Sequence, residues 1–221
     1  KKKYLNNLKV RLTKLSQEKP SSFHKMKDGC PNFWRRQDEH IAKNYSFKSV
    51  RDSYYFFRWN KEKLLLWKNF DKIWGNIKFL GGLNKNQWNS NKPKDGIVDR
   101  IQVIRYPENS GHAVAHTHNT KNQRLAISLY MSKIKEDFAH GGAYFVNNKK
   151  KKINIEKFID EGDIAIFYGS IIHGVDKVKL GKNIKLKNEL LKGRWFCGLY
   201  SPESDEKKNR NTSIPSKEKF T

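Results

Sequence analysis

Residues 112–120 read HAVAHTHNT, and the alternation in that stretch decides the fold. Side chains two apart on a strand share a face. Val114, His116 and His118 are therefore expected on one side, with Ala113, Ala115 and Thr117 on the other. The two imidazoles would stand about 6.5–7 Å apart at their Cα atoms, close enough to chelate one ion from a single strand. Residues 162–175, GDIAIFYGSIIHGV, bring a third imidazole, His173, at the end of another strand-like run. Residues 193–201, GRWFCGLYS, carry Arg194, which alternates with Trp195 and so points away from that ring.

Working outward, period-two runs predict strands at 97–106, 112–118, 124–132, 143–147, 152–156, 163–168, 172–179 and 193–201. Pro107–Gly111, Asn119–Gln123, Gly141–Gly142 and Glu161–Gly162 break them. Short strands in succession without intervening helices make a sandwich or barrel. Before residue 95 the period is helical. Leu66, Phe70, Ile73, Trp74, Ile77 and Leu80 recur at threes and fours, giving one helix face over 61–80 that Gly81–Gly82 ends. Residues 1–17 form a second, more polar helix, while the aromatic-rich stretch 20–60 yields no assignment. The class is mainly β with N-terminal helices (α+β). The expected organisation is an extension over 1–95, a β core over 96–201 and a polar, poorly ordered tail over 202–221.

Twenty-eight aromatic residues in 221 suffice for a core, and no apolar run approaches the roughly 20 residues of a membrane span. The net charge of +24 has two readings. Clustered cations suit a polyanion, but these lysines are spread along the chain, which favours solvated lysines. Real clusters at Lys149–Lys152 and through Lys177–Lys192 suit an acidic substrate. Nothing matches a nucleic-acid motif, so that class is disfavoured. Cys30 and Cys197 make no disulfide framework, which points to a reducing, cytoplasmic setting. The sequence opens at Lys1 without Met, so a trimmed start is open.

Three imidazoles facing one point would leave positions for oxygen and a co-substrate. Non-heme Fe(II) oxygenases work that way, usually with two His and one carboxylate. An isolated His-x-His is more often a surface or core pair than a ligand set. The ordered company lifts this one: Tyr106-Pro107, then Arg124 and Tyr130, then Gly141-Gly142-Ala143-Tyr144-Phe145, Gly162-Asp163, His173-Gly174-Val175 and Arg194-Trp195. His24, His40 and His140 lack paired spacing and are read as non-ligands, and His112 as a rim residue near substrate. Asp99, Glu108 and Asp176, which could replace a missing carboxylate, are read as surface groups.

In this order of motifs, residues 97–201 resemble the iron(II)- and 2-oxoglutarate-dependent dioxygenases of the prolyl-hydroxylase-like group. The resemblance implies a double-stranded β-helix (jelly-roll, cupin-like) core that uses Fe(II), 2-oxoglutarate and O2. It implies His116 and His173 as iron ligands, and Tyr130 and Arg194 as the site for the distal carboxylate of 2-oxoglutarate. A planar guanidinium fork suits that carboxylate. Lys179 or Lys182 is the fallback anchor, because the insert Lys177–Gly193 is longer than the pattern. His118 stands where the group has Asp. It ligates the metal as a third imidazole, or swings aside, or marks a degenerate site; the first is favoured. The implied reaction hydroxylates a C–H bond of a small molecule or an amino-acid or peptide group, with an acidic substrate suited to the charge. A three-His metal protein or dioxygenase without 2-oxoglutarate is the alternative.

Overall fold

The computed structural model describes residues 2–181, 191–207 and 213–220. The α-helices among these residues are α1 (Lys2–Glu18), α2 (Glu39–Ala42) and α3 (Leu66–Leu80). The strands are β1 (Phe33–Gln37), β2 (Ser49–Phe57), β3 (Arg100–Tyr106), β4 (His112–His118), β5 (Leu125–Tyr130), β6 (His140–Val146), β7 (Lys152–Asn154), β8 (Ile164–Tyr168), β9 (His173–Lys179), β10 (Arg194–Tyr200) and β11 (Ser213–Pro215). Seven of the eight runs read from period two after residue 95 hold one of these strands; the eighth, 143–147, only overlaps β6, which begins at His140 and includes the Gly141–Gly142 pair read as a break.

Among the described residues every ladder between these strands is antiparallel. One layer runs β1-β2-β3-β10-β5-β8, the other β7-β6-β9-β4 with β11 on the free edge of β4. Strand β2 joins them. Ser49 and Val50 pair with β4, whereas Asp52–Phe57 pair with β3, so the sheet curls on itself. Between the layers, Ile104, Tyr106 and Phe196 pack against Ala113, Val175 and Val178. Helices α1 and α3 cover the outer face of the first layer, setting Leu5, Leu8, Leu12, Leu66, Phe70 and Trp74 on Trp34, Tyr54, Val103 and Trp195. Trp195 and Leu66 are wholly buried. Burying such a side chain is worth about 1.5–3 kcal/mol, and this is the largest apolar core.

Several sequence expectations change here. The stretch 20–60 is not merely an extension of a core starting at 96, because β1 and β2 are integral strands of the first layer and β2 lies between β3 and β4. Helix α3 starts at Leu66 rather than 61, after Leu65 at a φ of 58°. Leu80 leaves the apolar face and is exposed. The tail is not wholly loose: Ser213–Pro215 pairs with β4, Val98 N–H donates to Pro202 O at 3.1 Å, and Ser204 is buried. Asp99 is no surface group. It is buried between Arg58 at 3.1 Å and Lys78 at 2.7 Å and accepts from the Ser201 hydroxyl. Neither cysteine is in a disulfide. Among the described residues no helix is long and apolar enough to cross a membrane.

Candidate metal centre

His116 on β4 pairs in register with His173 on β9, which puts the two rings side by side. A β-bulge between Ala113 and His116 resets the alternation. Ala113 faces the inter-layer core before it, and His116 and His118 face the cavity after it. Val114 therefore does not share their cavity wall as strict period two predicts. His112 also falls outside that wall; its Nδ1 bonds Ser110 O at 2.9 Å.

The three rings form one cluster, with centroids 4.3 Å apart for His116–His173, 4.8 Å for His118–His173 and 5.2 Å for His116–His118. Their candidate ligand atoms all lie within 4.8 Å of one another. His116 Nδ1 donates to Val114 O at 2.9 Å and His173 Nδ1 to Ile171 O at 2.8 Å. A carbonyl only accepts, so each neutral ring keeps its proton on Nδ1 and presents the Nε2 lone pair. Burial, with the neighbouring imidazoles adding to it, holds the His116 pKa well below its ordinary value. Burial alone pushes His173 down to about 4. Both are thus neutral at neutral pH, as metal ligation requires.

His173 Nε2 faces His118 Nε2 at 3.1 Å. Two bonds of about 2.1 Å meeting near a right angle span about 3 Å, so this spacing fits adjacent ligands on one cation. Among the described residues no carboxylate belongs to the cluster. Of the acids weighed as replacements, Asp99 sits in its buried network, Glu108 pairs with Arg105 and Lys192, and Asp176 pairs with Lys152. None of the three lines the cavity.

The cavity, about 410 Å³, opens between the two layers and is lined by the triad together with Tyr106, Tyr130, Phe145, Phe167 and Arg194. Arg194 is buried, its guanidinium 5.1 Å from the Tyr130 ring and 5.2 Å from Phe196. Trp195 points the opposite way, into the helix-side core. Burial raises the Tyr130 pKa to about 12, so the phenol keeps its proton. Arg194 Nε donates to Glu156, which also accepts from Ala143 N–H at 2.7 Å. Glu156 passes close beneath β6 because Gly142, at a φ of +90°, has no Cβ; one added there would lie 2.5 Å from Glu156 Cγ. Nothing in the sequence flags Glu156, a lone acid in a short turn. Of the fallback anchors, Lys179 does not line the cavity and Lys182 lies outside the described residues.

Sequence reading also missed Arg35, Arg51 and Arg100, which line the same cavity from β1, β2 and the start of β3. The signal was the density of aromatic and alternating charged residues at 33–37 and 50–57.

No family model and no curated protein matches the sequence. Solved structures do match in fold. A Pseudomonas putida prolyl-4-hydroxylase aligns over 90% of this chain and 86% of its own, at 8% identity and a TM-score of 0.51. A full-length Neurospora crassa protein crystallised with alpha-KG and thymine aligns over 91% and 72%, at 11% identity and 0.50. The same protein with alpha-KG and 5-formyluracil gives 91% and 70%, at 12% and 0.50. The chain thus has the fold of these oxygenase structures, and its curled sheet carries a three-histidine cluster suited to Fe(II).

Proposed function

We propose that this chain is a non-heme Fe(II)- and 2-oxoglutarate-dependent oxygenase built on a double-stranded β-helix core. It would hydroxylate a C–H bond of a small molecule or amino-acid-type substrate. The observation that carries the reading is the convergence of three histidines, two with their Nδ1 protons fixed by backbone carbonyls, on the cavity that also holds Arg194 and Tyr130. His116, His118 and His173 would hold the metal. Bound Fe(II) supplies the redox chemistry that couples O2 reduction to oxidative decarboxylation. In the overall balance, 2-oxoglutarate, O2 and R–H become succinate, CO2 and R–OH.

The chain's own residues bind and orient. Arg194 and Tyr130 would receive the distal carboxylate of 2-oxoglutarate through charge-assisted hydrogen bonds. Glu156 engages Arg194 through Nε, which fixes the plane of the guanidinium and directs its remaining donors. Phe145 and Phe167 pack on His173, at 6.4 and 4.9 Å between centroids, and keep bulk water off that side. With imidazoles as its ligands and no carboxylate in the cluster among the described residues, the cation would keep its full charge toward the co-substrate.

The expected test result is stoichiometric succinate formation coupled to substrate oxidation, lost by at least about a hundredfold in His116→Ala and His173→Ala. Unchanged turnover in both variants removes the assignment. The all-imidazole set also favours a second reading, a three-His metal protein or dioxygenase that does not use 2-oxoglutarate. Anaerobic titration of the Fe(II)-loaded protein with 2-oxoglutarate separates the two: a visible charge-transfer band supports the first, and its absence the second.

A further inference from the structure

The cavity wall sorts charge by face. On β1 and β2, Arg35 and Arg51 line the cavity, whereas their neighbours Arg36 and Asp52 meet outside it as an ion pair at 3.0 Å. Two further arginines away from the cavity are paired with acids, Arg58 with Asp71 and Asp99, and Arg105 with Asp52 and Glu108. Arg51 has no carboxylate within ion-pair distance among the described residues. Its Nε donates to Gln37 Oε1 at 3.3 Å, a neutral partner that leaves the cation uncompensated. The cavity wall holds four arginines, Arg35, Arg51, Arg100 and Arg194, the last already paired with the buried Glu156, and one described carboxylate, Asp205, which accepts from Met26 N–H.

Two of these arginines flank the triad. Arg51 lies 5.4 Å over the Phe47 ring, which packs 4.4 Å from His116. Arg100 lies 5.5 Å over the Tyr200 ring, which stands 6.0 Å from His118. Each cation is therefore one aromatic ring away from a different histidine, and both act on the Tyr200 hydroxyl. Arg100 also donates to Gln102 Oε1 at 3.0 Å, which commits that oxygen as the acceptor and leaves the Gln102 amide N–H groups as donors. At the rim, Arg35 is stacked 4.5 Å over Phe23 and 5.1 Å over Tyr45. A guanidinium resting on an aromatic face keeps its edge donors for a planar or tetrahedral anion where no neighbour takes them; on Arg35 one is taken, Nη2 donating to the Tyr45 hydroxyl at 2.6 Å.

We propose that the substrate carries a carboxylate or phosphate group, seated between Arg51 and Arg100 across Tyr200 and beside the triad. This rests on reading the triad as the reaction centre. A neutral substrate of the same shape would leave Arg51 unpaired in a partly desolvated wall, which selects against it.

The test is calorimetric titration of the full metal-free chain with benzoate and phenyl phosphate, each beside its neutral counterpart, benzamide or phenol. At least one anion should bind about tenfold or more tightly than its counterpart, and the stronger of the two identifies the group. Arg51→Gln and Arg100→Gln should each erase that preference, while Arg51→Lys, which keeps the charge, should retain much of it and reports a folded wall. Equal binding of neutral and anionic probes, no binding of any probe, or a preference that survives both Gln variants overturns the proposal; the last is what a probe resting on Arg194 would give. Titration of the Fe(II)-loaded protein with 2-oxoglutarate runs in parallel. Anion preference through Arg51 without 2-oxoglutarate binding supports the anion seat and removes only the oxygenase reading.

Discussion

His173 shows how much one residue's surroundings decide. Its Nδ1 proton is fixed on Ile171 O, and burial pushes its pKa from the ordinary 6.5 down to about 4. Above pH 6.5 the ring is neutral folded and unfolded. Below it, the unfolded chain takes up a proton that the folded site refuses, so stability of the metal-free protein falls as pH drops from 6.5 to about 4 and this contribution levels off beneath. Urea midpoints across that window should decline more steeply in wild type than in His173→Asn. Parallel declines would contradict the fixed, neutral imidazole. At this scale the sequence was informative about chemistry and less so about orientation. The three histidines and Arg194 could be picked out by type and order, but Glu156 could not, because its role comes from a partner 38 positions away. His112 and Val114 were misplaced because a bulge has no signature in HAVAHTHNT.

At the scale of elements, strands after residue 95 were legible because turn residues such as Pro107–Gly111, Asn119–Gln123 and Glu161–Gly162 cut the chain into short runs. Strand β2 was not. Helices cover one of its faces and the cavity backs the other, so seven of its nine residues are buried or nearly so and the alternation is erased. Strand β6 holds a device that the sequence reading took for a break between strands. Gly141 and Gly142 both take positive φ at a register shift against β9, and the second lets Glu156 reach Arg194. Gly142→Ala should cost roughly 1–3 kcal/mol from the clash and about 1 kcal/mol more from the backbone. Denaturant unfolding would record that loss, and 2-oxoglutarate affinity should fall with it as Arg194 loses its support. Native stability together with unchanged affinity would show that Glu156 does not position the arginine.

For the whole molecule, the first layer divides labour between its faces. The outer face binds α1 and α3 and carries the main core; the inner face, with the second layer, encloses the cavity and its arginines. The N-terminal third is therefore part of the site, through Arg35, Arg51 and Tyr55, and the C-terminal strand β11 closes the edge of β4 opposite His116 and His118. Sequence reading, which drew its boundary near residue 95, saw the second half of this enclosure and not the first. All of it surrounds the proposed Fe(II) centre, and anaerobic equilibrium dialysis with Fe(II) measures that centre directly. The account predicts one Fe(II) per chain in the wild-type protein, with affinity reduced at least about tenfold to a hundredfold in His116→Ala, His118→Ala and His173→Ala. Binding at the same stoichiometry and affinity in all three variants would contradict it.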